Sequence, residues 1–112
     1  MTNKQAIHTF VLCAYGENPY LEACIVSVMN QETVKSGKSQ VIMYSSTPSR
    51  FLDDLCAKYD VTIISDEIHC DLTDPDKKYI PFAGISNHDS ITTISPTKSF
   101  NIAGLNTAAV YI

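Results

Sequence analysis

The apolar positions of this chain fall into short runs separated by stripes of helical period. Ile7-His8-Thr9-Phe10-Val11-Leu12-Cys13 is almost continuously apolar, the pattern of a strand covered on both faces within a parallel sheet. Ala14-Tyr15-Gly16-Glu17 reads as a turn, and Asn18-Pro19 as a helix start with proline at the first helical position. Leu21, Cys24, Ile25, Val28 and Met29 then recur at spacings of three and four, one stripe that runs out near Gln31. Lys35-Ser36-Gly37-Lys38 makes the stretch 32–39 a polar surface loop. Val41 to Tyr44 is a second strand, and Thr47-Pro48 opens a second helix with Phe51, Leu52, Leu55, Cys56 and Tyr59 on one broad face. Asp53 and Asp54 near its first turns suit the helix dipole. Val61-Thr62-Ile63-Ile64 and Ile91-Thr92-Thr93-Ile94 are two further strands, with loop and a short helix over 75–86, where Pro75 and Pro81 stand. A last strand covers Thr107 to Ile112. The reading therefore predicts strands near 7–13, 40–45, 61–65, 90–94 and 107–112, and helices near 18–31 and 48–59.

That alternation predicts one small α/β domain over residues 1–112, in two or three layers around a mostly parallel five-stranded sheet of order 1-2-3-4-5. Right-handed crossovers along such a sheet put both long helices on one face. The other face, apolar in pattern, is left without cover, and such a surface favours self-association. A chain of 112 residues with 45% hydrophobic content can bury roughly two-thirds of its unfolded surface, enough for a single core. The net charge of −4 and the lack of a basic run speak against nucleic acid or an anionic membrane as partner. No apolar run nears the ~20 residues of a membrane helix. Met1-Thr2-Asn3-Lys4-Gln5 has no apolar signal core, which predicts a cytoplasmic protein. Cys13, Cys24, Cys56 and Cys70 show no CxxC spacing and predict free, mostly buried thiols.

The chemistry concentrates where the third and fourth strands end. One run stops in Ser65-Asp66-Glu67-Ile68-His69-Cys70-Asp71, and the other in Ser95-Pro96-Thr97-Lys98-Ser99-Phe100-Asn101-Ile102-Ala103-Gly104. Parallel strands would deliver a carboxylate and a lysine among hydroxyls to one sheet edge, a set suited to a cofactor with a ring nitrogen, an aldehyde and a phosphate. These segments, with Tyr79-Ile80-Pro81-Phe82-Ala83 between them, resemble the pyridoxal-phosphate enzymes of the aminotransferase fold, specifically the cystathionine β-lyase type. The resemblance covers about Leu55 to Ile112. It implies that Asp66 faces the pyridine nitrogen, that His69 lies near the ring hydroxyl, that Lys98 is the Schiff-base lysine, and that Ser95 and Thr97 lie toward the phosphate. It also implies that the last strand runs antiparallel beside the fourth.

The opening resembles a different family. Phe10-Val11-Leu12-Cys13-Ala14-Tyr15-Gly16-Glu17-Asn18-Pro19 with Gln40-Val41-Ile42-Met43-Tyr44-Ser45-Ser46-Thr47-Pro48-Ser49 is similar to the start of family 2 glycosyltransferases, over about Ile7 to Val61. That resemblance implies a nucleotide-binding loop at Ala14, Tyr15 and Glu17. The D-x-D expected of a metal-binding transferase is not at its usual place; Asp74-Pro75-Asp76 has the spacing but lies in the lyase-like segment.

The two resemblances meet on the second helix, and both families use strand–helix–strand units there. The expected protein is thus a chimeric or engineered scaffold, residues 1–60 glycosyltransferase-like and 61–112 lyase-like, with no autonomous catalysis, cofactor or metal. The alternative is a pyridoxal-phosphate-binding fragment of a lyase; a nucleotide-sugar-binding fragment stands behind it. For the lyase reading, a glycine-rich phosphate loop, a ring-stacking aromatic residue and a substrate-binding arginine are all to seek, and Asn106 stands where some aminotransferases carry arginine.

Overall fold

The computed structural model describes residues 8–112; Ile7 and the N-terminal segment read for a signal lie outside them. Five strands, β1 (His8–Ala14), β2 (Ser39–Ser45), β3 (Thr62–Asp66), β4 (Ser90–Ile94) and β5 (Ala109–Tyr111), form one sheet in the order β1-β2-β3-β4-β5. The first four are parallel, and β5 pairs antiparallel with β4. Three helices, α1 (Leu21–Met29), α2 (Glu32–Lys35) and α3 (Arg50–Tyr59), complete the α/β domain, with 3₁₀ turns at Cys70–Leu72 and Phe82–Gly84. Fold class, strand order and the direction of the last strand are those expected.

Parity along the strands decides what is buried. Ala14, Met43, Ser45, Ile63, Ser65 and Thr92 share one face by register, and all are buried. Leu21 and Ile25 of α1 and Leu52, Leu55 and Cys56 of α3 close over Met43 and Ile63, with Phe82 filling the β4 side of the same core. Both long helices thus lie on one face. The opposite parity places Val11, Ile42, Tyr44, Ile64, Ile91 and Val110 on the other face, where Val11 and Val110 remain more than half exposed.

Three local expectations are corrected. The helix expected from 18 begins at Leu21, because the Asn18 side chain accepts the Tyr20 N–H at 2.8 Å and its carbonyl accepts Leu21 N–H at 3.1 Å, which closes a turn instead. The expected loop 32–39 contains the single turn α2. The thiols are free but not mostly buried, since Cys13 has the parity of the uncovered face, Cys24 is exposed on α1, and only Cys56 is fully buried.

Helix α3 is locked at both ends. The Ser49 hydroxyl accepts Leu52 N–H as its N-cap, and Asp60 turns left-handed at φ 54° so that Val61 N–H reaches the Cys56 carbonyl at 2.9 Å. Inside the helix the buried Asp53 accepts the Ser86 hydroxyl at 2.6 Å and Asn87 N–H at 2.9 Å, which fastens the loop before β4 to α3. Asp53 is therefore a buried clamp more than a dipole partner. Ser49→Ala should lower the unfolding free energy by about 1 kcal/mol in urea denaturation, with Ser49→Asp restoring it.

Candidate functional site

In a parallel sheet the carboxyl ends of the strands share one edge, where connecting loops leave a crevice. Here that edge gathers Ala14 to Glu17 at the end of β1, Ser46 and Thr47 after β2, Asp66 to His69 at the end of β3, and Ser95 to Lys98 after β4. The loops are tied together. Gly16, at φ 61° where a side chain would strain the backbone, donates its N–H to the Thr47 hydroxyl at 2.8 Å. The Ser99 hydroxyl donates to the Asp71 carboxylate at 3.0 Å, which holds the loop after β4 against the turn after β3.

A cleft of about 330 Å³ opens at this edge, and Thr47, Asp66, Glu67, His69, Thr73 and Tyr79 contribute to its wall. Asp66 is half-buried. Its Oδ2 accepts the hydroxyl of Tyr44, and its Oδ1 accepts Ile68 N–H at 3.4 Å. That bond to the carboxylate, followed by burial, raises the Tyr44 phenol above its usual pKa, so Tyr44 remains the proton donor of the pair. Glu67 is buried beside it, and its Oε1 accepts both the Ser65 hydroxyl at 2.8 Å and Phe82 N–H at 2.9 Å. His69 is exposed at the cleft mouth. Cys70 also lines the cleft, but burial, with Asp71 nearby, pushes its thiol up and away from the nucleophilic thiolate.

The structure therefore brings Asp66 and His69 together but not the rest of the expected set. Lys98 is exposed and is not in the wall of this cleft. Ser95 is half-buried and already engaged: its hydroxyl donates to the Thr107 carbonyl at 2.7 Å and accepts Thr97 N–H at 3.3 Å, with the Thr97 hydroxyl 3.0 Å away. Ala14 is buried, and Tyr15 and Glu17 project into solvent outside the cleft. Asp74 and Asp76 are exposed, and among the described residues no group of three or more potential ligands could hold a metal ion.

Tyr44 and Glu67 are the site residues that the sequence reading missed. Each carried a signal. Glu67 continues the buried alternation Val61, Ile63, Ser65 one step past the strand, and Tyr44 shares the parity of Ile42 at a strand's carboxyl end.

Comparison with known proteins places this edge in context. No protein-family model matches the chain. A stretch of 64 residues is 45% identical to cystathionine beta-lyase PatB of Bacillus subtilis (strain 168), covering 54% of this chain and 16% of that protein. A stretch of 55 residues is 40% identical to protein MalY of Escherichia coli (strain K12), covering 49% and 14%. The structure is similar to a crystal structure of a pyridoxal-phosphate-bound C–S lyase from Staphylococcus hominis in complex with the inhibitor L-cycloserine. The TM-score is 0.58 at 26% identity, over 97% of this chain and 35% of that one. The chain thus spans about one-sixth of the length of these curated relatives. Among the described residues no helix is long and apolar enough to cross a membrane.

A pyridoxal phosphate has a ring nitrogen, a ring hydroxyl and a phosphate to satisfy. The Asp66 carboxylate, held by Tyr44, would suit a protonated ring nitrogen, and His69 stands in the same cleft wall. Among the described residues the phosphate finds no lysine or arginine in the cleft wall, and the hydroxyls assigned to it are spent on each other and on Thr107. The residues fit the ring and not the phosphate.

Proposed function

We propose that this chain is a cystathionine-β-lyase-type α/β module that recognises the pyridine ring of pyridoxal-like compounds at the carboxyl edge of its sheet. The observation that carries the reading is the orientation of Asp66: Tyr44 from β2 and the Ile68 amide fix its carboxylate at the rim of a cleft, one turn from His69. In this reading Asp66 accepts the ring N–H, His69 meets the ring hydroxyl, and Tyr44 keeps the carboxylate from rotating away. The similarity to pyridoxal-phosphate lyases supports this ring-binding reading better than that of an inert scaffold. Pyridoxal phosphate, when bound in an enzyme, supplies an electron sink. Turnover also needs the reacting groups held in register, since orientation supplies much of the barrier reduction. Lys98 outside the cleft leaves that condition unmet, so the proposal is binding and not lyase activity of these residues alone.

The further proposal of a chimera, with residues 7–61 drawn from a glycosyltransferase-like source, rests on the sequence resemblance. The lyase superposition extends over 97% of the chain, so one lyase-like frame accommodates both halves.

The reading is tested with 4-deoxypyridoxine, which has the ring but no aldehyde and so cannot label lysines. Titration calorimetry should give one saturable site that Asp66→Asn weakens tenfold or more, about 1.4 kcal/mol, while Lys98→Ala leaves it within about twofold. Loss of binding in Lys98→Ala with Asp66→Asn unaffected would overturn it.

A further inference from the structure

The Asp66 cleft has a charge character at odds with a phosphorylated ligand. Among the described residues its wall carries two carboxylates, Asp66 and Glu67, together with the hydroxyl-bearing Ser46, Thr47, Thr73 and Tyr79, and neither lysine nor arginine. Glu67 strengthens the case independently of Asp66. It is 7% exposed, and among the described residues both hydrogen bonds to it fall on Oε1, from Ser65 and from Phe82. Neither of these bonds falls on Oε2, and Glu67 is part of the cleft wall. A carboxylate in a cleft wall attracts cations and N–H groups and repels anions. A phosphate monoester brings about −1.5 to −2 charges at neutral pH, into a cleft where, among the described residues, His69 is the one wall side chain able to carry a positive charge. Size points the same way. At about 330 Å³ the cleft lies at the small end of ligand pockets, roughly 300–1,000 Å³, with space for one substituted ring.

We propose that the Asp66–Glu67 cleft selects unphosphorylated, N-protonated pyridines over their phosphate esters. The inference rests on the ring-binding reading above and adds the ligand class: a small heteroaromatic ring with an acidic N–H and hydroxyl or hydroxymethyl substituents, without an anionic arm. Asp66 takes the ring N–H, and Glu67 Oε2 takes a donor from a substituent. The phosphate ester loses affinity because its charge must sit near two carboxylates, and like-charge juxtaposition of this kind is a strong means of discrimination.

The test compares 4-deoxypyridoxine with 4-deoxypyridoxine 5′-phosphate on the same protein by titration calorimetry, at low and at high salt. The unphosphorylated ring is expected to bind at least tenfold tighter at low salt. Added salt should narrow that gap by raising the affinity of the phosphate ester, because screening weakens the repulsion. Glu67→Gln, which keeps an oxygen to accept from Ser65 and Phe82, should narrow it as well; the salt series on the unmodified protein gives the answer even if that variant does not fold. Equal or tighter binding of the phosphate ester, with Asp66→Asn still weakening both ligands, overturns the selectivity and leaves the ring-binding reading standing. Absence of binding by both compounds overturns the two together.

Discussion

Phe82→Ala is expected to lower the unfolding free energy by about 4 kcal/mol, within the range of large-to-small core substitutions. Phe82 heads the fully buried side chains at 1% exposure and packs with Met43, Ile63 and Leu55 in one cluster. Its position explains why so much rests on one residue of a 3₁₀ turn. No α-helix lies between β3 and β4, so Phe82, with the partly buried Ile85, is the main apolar anchorage of the segment from Ile68 to Asp89. The Phe82 N–H also donates to Glu67, so the ring and the amide together pin that segment to the end of β3. Small domains are held by only about 5–15 kcal/mol in all, so the variant should unfold at a much lower urea concentration, and cleft binding should weaken with it. A loss under about 1 kcal/mol at unchanged urea dependence would mean that the segment is anchored elsewhere.

Alkaline conditions are the second large lever. Cys56 is fully buried on the inner face of α3, and burial, with Asp53 nearby as the lesser cause, pushes its thiol up to about 12 from the ordinary 9.0. The folded state therefore holds the thiol protonated over a range where the unfolded chain ionises. Its contribution to stability is complete below pH 9 and is lost as pH rises from 9 toward 12. The slope is about 1.4 kcal/mol per pH unit, on the order of 4 kcal/mol across the window. The Tyr44 and Tyr59 phenols and the Lys58 amine are also raised by their carboxylate partners, so they act in the same direction. Glu22, lowered chiefly by the Lys58 hydrogen bond, is the contrary case, with stability present above its ordinary 4.5 and lost as pH falls. Urea denaturation at several pH values should show the alkaline loss, and Cys56→Ala should flatten it between pH 9 and 12. An unchanged slope in that variant would assign the alkaline loss to the tyrosines and lysine.

Period and punctuation were enough to read the sheet. Five apolar runs, the first four closed by Gly or Ser, became five strands in sequential order, because short connections leave successive strands as neighbours. What those signals cannot carry is which side of a strand has a partner. Cys13 and Val11 look like core in a continuous apolar run, yet they have the parity of the face that neither long helix covers. The helix start was misplaced for a related reason: Asn18 and Pro19 are as good at forming a turn as at capping, and tertiary context selected the turn. At the site, Asp66 and His69, singled out by the lyase resemblance, share one cleft wall because they stand three residues apart at the end of β3. Tyr44 was not, because its hydroxyl meets Asp66 only through the parallel register of β2 and β3, which joins residues 22 apart. The Lys98 loop was not either, since the Ser99–Asp71 and Ser95–Thr107 bonds that set its course link residues far apart in sequence.

The central claim is that Asp66 at the end of β3 recognises a pyridine ring. Backbone amide NMR with 4-deoxypyridoxine tests it most directly, because it reports where the ring sits as well as whether it binds. The largest saturable shifts should fall on Ile68, His69 and Thr47 and vanish in Asp66→Asn, whose other amides should stay in place. Shifts centred on the loop after β4, or shifts that persist in Asp66→Asn, would contradict it.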